Sequence, residues 1–220
     1  MTTEPNDTDA AKPEGMSRRV LVLGIVALLV GIAGTLGVNR LLSRAPAAPR
    51  TASAQYLPPI GTEPLPAPDI TLRDQNGQLV SLQGLRGKVV LVSFLDPQCR
   101  LQCPLLGHEL ASIEAGLPAT IKPVLLVVSV SPGRTAADVS TFLTSQQIAW
   151  QPGWHWLLGN QAELQAVWAT YHVAVQPAAN DVTHDVVVYV VNPRGLMVAG
   201  YNAPLPIADV TANIVKSAGG

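Results

Sequence analysis

The order of elements predicts an α/β fold, a sheet with helices on both faces. Two continuous apolar runs, Lys88–Leu95 and Val124–Val130, are each followed by a segment with helical spacing. A third run, Val186–Val191, is turned by Asn192-Pro193-Arg194-Gly195 into Leu196–Ala199, which reads as a hairpin closing the sheet. Apolar runs without polar alternation suit strands covered on both faces.

Residues 1–19 are polar and aperiodic, the pattern of a short disordered tail, read here as cytoplasmic. Residues 20–38 contain no charged side chain and end at Asn39-Arg40. At 1.5 Å per residue, roughly 19 helical residues approach the ~30 Å hydrocarbon thickness of a bilayer. Gly24, Gly31, Gly34 and Gly37 are costly in a soluble helix and common in membrane spans. A cleaved signal peptide competes, with Arg18-Arg19 as its basic region and Ala52-Ser53-Ala54 as its cleavage site. The apolar run is long for a signal core and that site lies far downstream, so an uncleaved single-pass transmembrane helix is expected. Ser17-Arg18-Arg19 is only a weak match to a twin-arginine signal. Lys12, Arg18 and Arg19 balance Arg40, Arg44 and Arg50, so basic residues do not set the orientation. A long C-terminal domain translocates regardless of its charge, which places it extracytoplasmic, on the periplasmic or cell-surface side. Residues 39–65 are rich in Ala and Pro and read as an extended linker. The folded domain then occupies residues 66–220.

Within that domain, Ile70–Leu72 is a short strand and Asp74-Gln75-Asn76-Gly77-Gln78 a turn. Lys88–Leu95 and Val124–Val130 are buried strands. Leu105–Ala115 is helical through Leu106, Leu110 and Ile113. Thr135–Gln147 places Val139, Phe142 and Leu143 on one face, and Ala162–Tyr171 does the same with Leu164, Val167 and Trp168. Ala208–Lys216 is the closing helix. Joined in this order, the two halves form a thioredoxin-like sheet with flanking helices. Lys and Arg number 14 against 15 Asp and Glu, so the basic footprint of a nucleic-acid binder is absent.

Cys99 and Cys103 are the only two cysteines, and they lie where a strand passes into a helix. Proline is tolerated in a first helical turn and costs about 3 kcal/mol in an interior, so Pro104 starts the regular helix near Cys103. Cys99 to Gln102 then form a loop across the helix N-terminus. Free amides, the helix dipole and Arg100 all favour thiolate there, which suits disulfide chemistry and metal binding alike. Three residues separate the sulfurs, where thioredoxins have two; the wider loop permits a disulfide and lets both sulfurs face one ion. A purely structural disulfide across so short a loop gains little chain entropy. Two thiolates leave a transition metal under-coordinated, so a third ligand is sought.

Of the four histidines, His108 is five residues beyond Cys103 and points away on helical geometry. His155 lies between Trp154 and Trp156 as a packing or surface residue. His172 ends a helix, where the dipole favours it without a function. His184 opens the strand Val186–Val191 after a loop containing Pro177 and Asn180-Asp181, which in a thioredoxin-like sheet lies beside the cysteine helix. It is the candidate third ligand. Asp185, its strand neighbour, faces the other way, so Asp181 is the expected partner of its ring.

From about Pro66 to Lys216 the chain resembles the Sco/SenC family of membrane-anchored copper proteins. The resemblance rests on Gly87-Lys88-Val89-Val90-Leu91-Val92-Ser93-Phe94, Cys99 with Cys103-Pro104, and Val128-Ser129-Val130-Ser131-Pro132-Gly133-Arg134-Thr135. It continues through Trp156-Leu157-Leu158-Gly159 and His184 to Asn192-Pro193-Arg194-Gly195. It implies a metallochaperone with copper on Cys99, Cys103 and His184. The expected partner is the cytochrome c oxidase subunit that carries the binuclear copper site. The family often has Pro and Asp between its cysteines, where this chain has Arg100-Leu101-Gln102. It often has Asp before the histidine, where this chain has Thr183, and Asp where this chain has Ser131. Neutral or basic residues in these places disfavour a bound cation modestly and favour thiolate. The competing reading is a membrane-anchored thiol–disulfide oxidoreductase in which Cys99 attacks and Cys103 resolves. A peroxidase lacks its Thr/Ser-x-x-Cys context, and a docking-only domain is the plainest alternative.

Overall fold

The computed structural model describes residues 63–177 and 182–219. The expected tail, the membrane span at 20–38, most of the linker and Asp181 lie outside the described residues. Among the described residues no helix is long and apolar enough to cross a membrane.

Among the described residues ten strands and four α-helices follow one another as β1 (Leu65–Pro66), β2 (Thr71–Arg73), β3 (Leu79–Ser81), β4 (Val90–Leu95), α1 (Gln102–Gly116), β5 (Val124–Ser129), α2 (Ala136–Ser145), β6 (His155–Leu157), α3 (Gln161–Thr170), β7 (Val175–Pro177), β8 (Val182–His184), β9 (Val187–Val191), β10 (Leu196–Asn202) and α4 (Ile207–Ala218). The main sheet has the order β1-β10-β9-β4-β5-β6. Strands β4, β5 and β6 are parallel, while β9 and β10 are antiparallel neighbours. This is the expected α/β sheet.

Every residue of β4, β5 and β9 is buried, which is why their sequences read as apolar runs interrupted only by Ser93 and Ser129. The period of two sends alternate side chains into two cores. Val90, Val92, Phe94, Leu126 and Tyr189 pack with α3 (Leu164, Val167, Trp168) and with Leu72 and Val80 of the β2–β3 hairpin. Leu91, Leu95, Leu125, Val127 and Val188 pack on the opposite face with Leu106, Leu110 and Ile113 of α1, Phe142 of α2, and Val210 and Ile214 of α4.

Capping sets two helix starts. Thr135 and Asp138 form a reciprocal capping box on α2, and Asn160 and Glu163 form one on α3. The expected helices therefore begin one residue past, or one before, the positions read from periodicity. Helix α1 begins at Gln102, one residue before Cys103, with Pro104 inside its first turn as the proline argument requires. Its N-cap, Leu101, supplies no side-chain bond.

Short strands depart most from expectation. Strand β6 extends the parallel ladder by three residues within a segment whose spacing does not read as a strand. The β2–β3 hairpin folds against its outer edge: Leu158 N donates to Arg73 O at 2.8 Å and Trp156 N to the Gln75 side chain at 2.7 Å. His155, expected as a packing or surface residue, pairs its Nδ1 with buried Asp74 at 2.9 Å. Burial alone raises the Asp74 pKa; His155 and the Gln78 and Asn76 amides outweigh it and hold the carboxyl below its ordinary value. His184 does not open the central strand. It ends β8, one arm of a separate two-stranded hairpin with β7, and β9 starts only at Val187.

Candidate metal centre

Strand β4 delivers the chain to Asp96, and the turn Asp96–Cys99 closes through Cys99 N donating to Asp96 O at 3.1 Å. Helix α1 then leaves with its first amides unclaimed by a capping side chain. Cys99 Sγ takes that role, accepting from Cys103 N at 3.4 Å. The Cys103 thiol, donating toward Cys99, lowers the Cys99 pKa most. Burial opposes it, and the Cys103, Leu101 and Gln102 amides add to the lowering, leaving the pKa at about 5. Cys103 is fully buried and shifts upward, first because it donates to Cys99 and then because it is desolvated. Both thiols are free, Cys99 partly exposed and Cys103 buried.

Across from α1, the β7–β8 hairpin brings His184 Nε2 to 3.6 Å from Cys103 Sγ. His184 Nδ1 lies 2.9 Å from the backbone carbonyl of Asp185. A carbonyl only accepts, so Nδ1 carries a proton, and Nε2 is the ring nitrogen aimed at the sulfur. The ring partner is thus Asp185, through its main chain rather than the carboxylate considered in the strand argument. That carboxylate accepts from Ala174 N at 2.9 Å, and Asp185 N donates to Ala174 O at 3.1 Å. These two bonds join the two strands of the hairpin at its base, one residue beyond the Val175–His184 pair.

The structure therefore pairs Cys103 with His184 and Cys99 with Cys103. Among the described residues no group of three or more His, Cys, Asp and Glu side chains is close enough to hold a metal ion as it stands. The donor set, two thiol sulfurs and one oriented imidazole nitrogen, suits a soft monovalent ion. His108 is exposed on α1 and His172 follows α3 at a positive φ of 52°.

Sequence reasoning passed over Asp96. Its carboxylate, 1% exposed, accepts from Arg134 Nε at 2.8 Å and Nη2 at 2.9 Å, from Ser131 Oγ at 2.7 Å and from Gln98 N at 3.0 Å. Burial raises its pKa, but Arg134, Ser131 and the Gln98 amide outweigh it and keep the group ionised. The signal was present in the chain: a lone acid closing an otherwise apolar strand.

Residues 63–219 match the family model described as SCO1/SenC. The SCO1 protein homolog of Bacillus subtilis (strain 168) is 28% identical over 156 residues, covering 67% of this chain and 80% of that protein. The copper-bound structure of Bradyrhizobium japonicum ScoI is 24% identical with a TM-score of 0.57, covering 69% of this chain and 98% of that one. BsSco, described as carrying a disulfide switch and as a member of the Sco family of cytochrome c oxidase assembly proteins, is 23% identical with a TM-score of 0.62. It covers 72% of this chain and 97% of its own. These structural likenesses bear out the thioredoxin-like fold.

Proposed function

The chain belongs to the SCO1/SenC family, and from that premise we propose that it is a copper-binding metallochaperone for cytochrome c oxidase assembly. Copper is its cargo, held as Cu(I) by Cys99, Cys103 and His184 and passed by ligand exchange to the subunit carrying the binuclear copper site. The observation that carries this reading is the 3.6 Å approach of His184 Nε2 to Cys103 Sγ, with Nδ1 already engaged. A ring fixed by its Nδ1–H bond presents Nε2 beside a sulfur at no further cost in orientation. Cys99 completes the trio by leaving the α1 amides. Copper-bound ScoI supports the choice of metal, and BsSco supports the client. Residues 20–38 serve as a single-pass anchor and 39–65 as a spacer, holding the domain at 66–220 outside the cytoplasm and close to a membrane client.

A second reading, reduction of a client disulfide, is favoured by the unequal cysteines. Cys99 thiolate attacks one client sulfur, forming a mixed disulfide and releasing a client thiolate. Cys103 then attacks Cys99, giving the Cys99–Cys103 disulfide, a second client thiol and a client reduced by two electrons. Cu(I) competition titration of the reduced full-length chain separates the readings, using wild type, His184→Ala and Cys103→Ser. The metal reading expects tight wild-type binding that either change weakens by orders of magnitude. Equal affinity in all three proteins refutes it. Failure to bind copper, together with efficient reduction of a client disulfide, establishes the second reading instead.

A further inference from the structure

The main chain of Asp96 touches both cysteines, Cys99 at its backbone and Cys103 at its sulfur. Its carbonyl accepts from Cys99 N at 3.1 Å and its amide faces the Cys103 sulfur. Its side chain, meanwhile, is fastened to a different part of the fold, the loop between β5 and α2. Arg134 grips it with two parallel bonds at 2.8 and 2.9 Å, and Ser131 adds a third at 2.7 Å. A second strap runs beside it, Gln98 Nε2 to Asp138 Oδ1 at 3.1 Å, ending on a carboxylate that the α2 capping box already holds.

We propose that Asp96 is a positioning residue for this site, with Arg134 and Ser131 as its anchors, setting the loop that presents Cys99 against Cys103. The inference rests on the reading of Cys99 and Cys103 as the reactive pair. Stability alone is a weak reason for this arrangement. A buried carboxylate–guanidinium pair repays its desolvation only in part, and well-packed apolar residues often do as well. The bidentate geometry instead fixes the plane and direction of the Asp96 carboxylate, and through it the two peptides on either side of Asp96, one facing Cys103 and the other holding Cys99. Ligand-orienting contacts of this kind are typically worth about 10- to 100-fold in metal affinity.

The test compares full-length wild type with Asp96→Asn, Arg134→Lys and Ser131→Ala. Arg134→Lys keeps the charge and loses the fork; Ser131→Ala removes one bond and is the mild variant. Asp74→Asn is the control, a second buried carboxylate whose partners are His155, Asn76 and Gln78. Three quantities are measured on each reduced protein: the urea midpoint, the Cys99 rate with 4,4′-dithiodipyridine at pH 5.5, and Cu(I) affinity by competition. All the variants are expected to lose some stability. Only the Asp96, Arg134 and Ser131 variants should also change the thiol rate, and they should lose copper affinity by about tenfold or more. A thiol rate and copper affinity within twofold of wild type, as in the Asp74→Asn control, would overturn the proposal. Absence of copper binding in wild type refutes the proposed function and leaves the thiol rate to decide on Asp96. Should Asp96→Asn fail to fold, Arg134→Lys and Ser131→Ala carry the same comparison.

Discussion

The pH dependence of Cys99 follows from its place at the mouth of α1. Its pKa falls from 9.0 to about 5, the Cys103 donor contributing most. At pH 7 an ordinary thiol is about 1% ionised and Cys99 about 99%, a gain of about 100-fold in thiolate. Intrinsic nucleophilicity falls with pKa at a Brønsted slope of about 0.4–0.5, which removes about 40- to 100-fold of that gain. The two nearly cancel, so a rate at pH 7 says little. At pH 5.5 the comparison is different. Cys99 is still about three-quarters thiolate and an ordinary thiol about 0.03%, leaving Cys99 about 20- to 60-fold faster. The assay is the initial rate with 4,4′-dithiodipyridine between pH 4 and 9. It is best done in Cys103→Ser, which leaves Cys99 as the only cysteine and keeps a hydroxyl donor. The expected profile has its midpoint close to 5 and is flat above about pH 6.5. Cys103→Ala, which deletes the donor, should move the midpoint upward. A midpoint near 9 in Cys103→Ser, or no movement in Cys103→Ala, refutes the account of the helix mouth given above.

Three further outcomes are expected. Leu126→Ala, at a fully buried position of β5, should lower the unfolding free energy by about 2–5 kcal/mol in urea, with the spread set by how far the cavity collapses. Trp168→Phe should cost about 1–3 kcal/mol, because Trp168 Nε1 donates to Ser129 O at 3.0 Å and the carbonyl is left unpaired in the core. Asp74 has a lowered folded-state pKa, so its contribution to stability is complete above the ordinary value of 3.8 and is lost as pH falls through the folded value. Asp74→Asn should therefore be less stable than wild type at pH 6, with the gap narrowing below about pH 4 in acid titration followed by circular dichroism.

What could be read from the chain alone divides along physical lines. Strands β4, β5 and β9 were plain because burial on both faces leaves an apolar run without polar alternation. The helices were plain from spacing, and Pro104 located the start of α1 to within one residue. Strand β2 falls one residue beyond the short strand read at Ile70–Leu72, but β3, β6, β7 and β8 have three residues each, too few for any period to register, and their pairing is a tertiary matter. That is why His184 was assigned to the mouth of β9 rather than to the end of a hairpin. Its ring partner was missed because the strand argument followed side chains, and a main-chain carbonyl has no signature in sequence. The Asp96 network was hidden by separation: Ser131 and Arg134 lie 35 and 38 residues away.

The β2–β3 hairpin has a consequence for how this molecule meets others. By taking up the outward amides of Trp156 and Leu158, it occupies ladder positions that a foreign strand would use for zippering onto β6. At the other margin, β1 is two residues long, and one of them is Pro66, which has no amide to offer. Both rims of the six-stranded sheet are thereby blunted against polymerisation. The large apolar side chains Leu101 and Leu105 stand exposed instead at the N-terminal end of α1, where contact is made by side chains and not by an added strand.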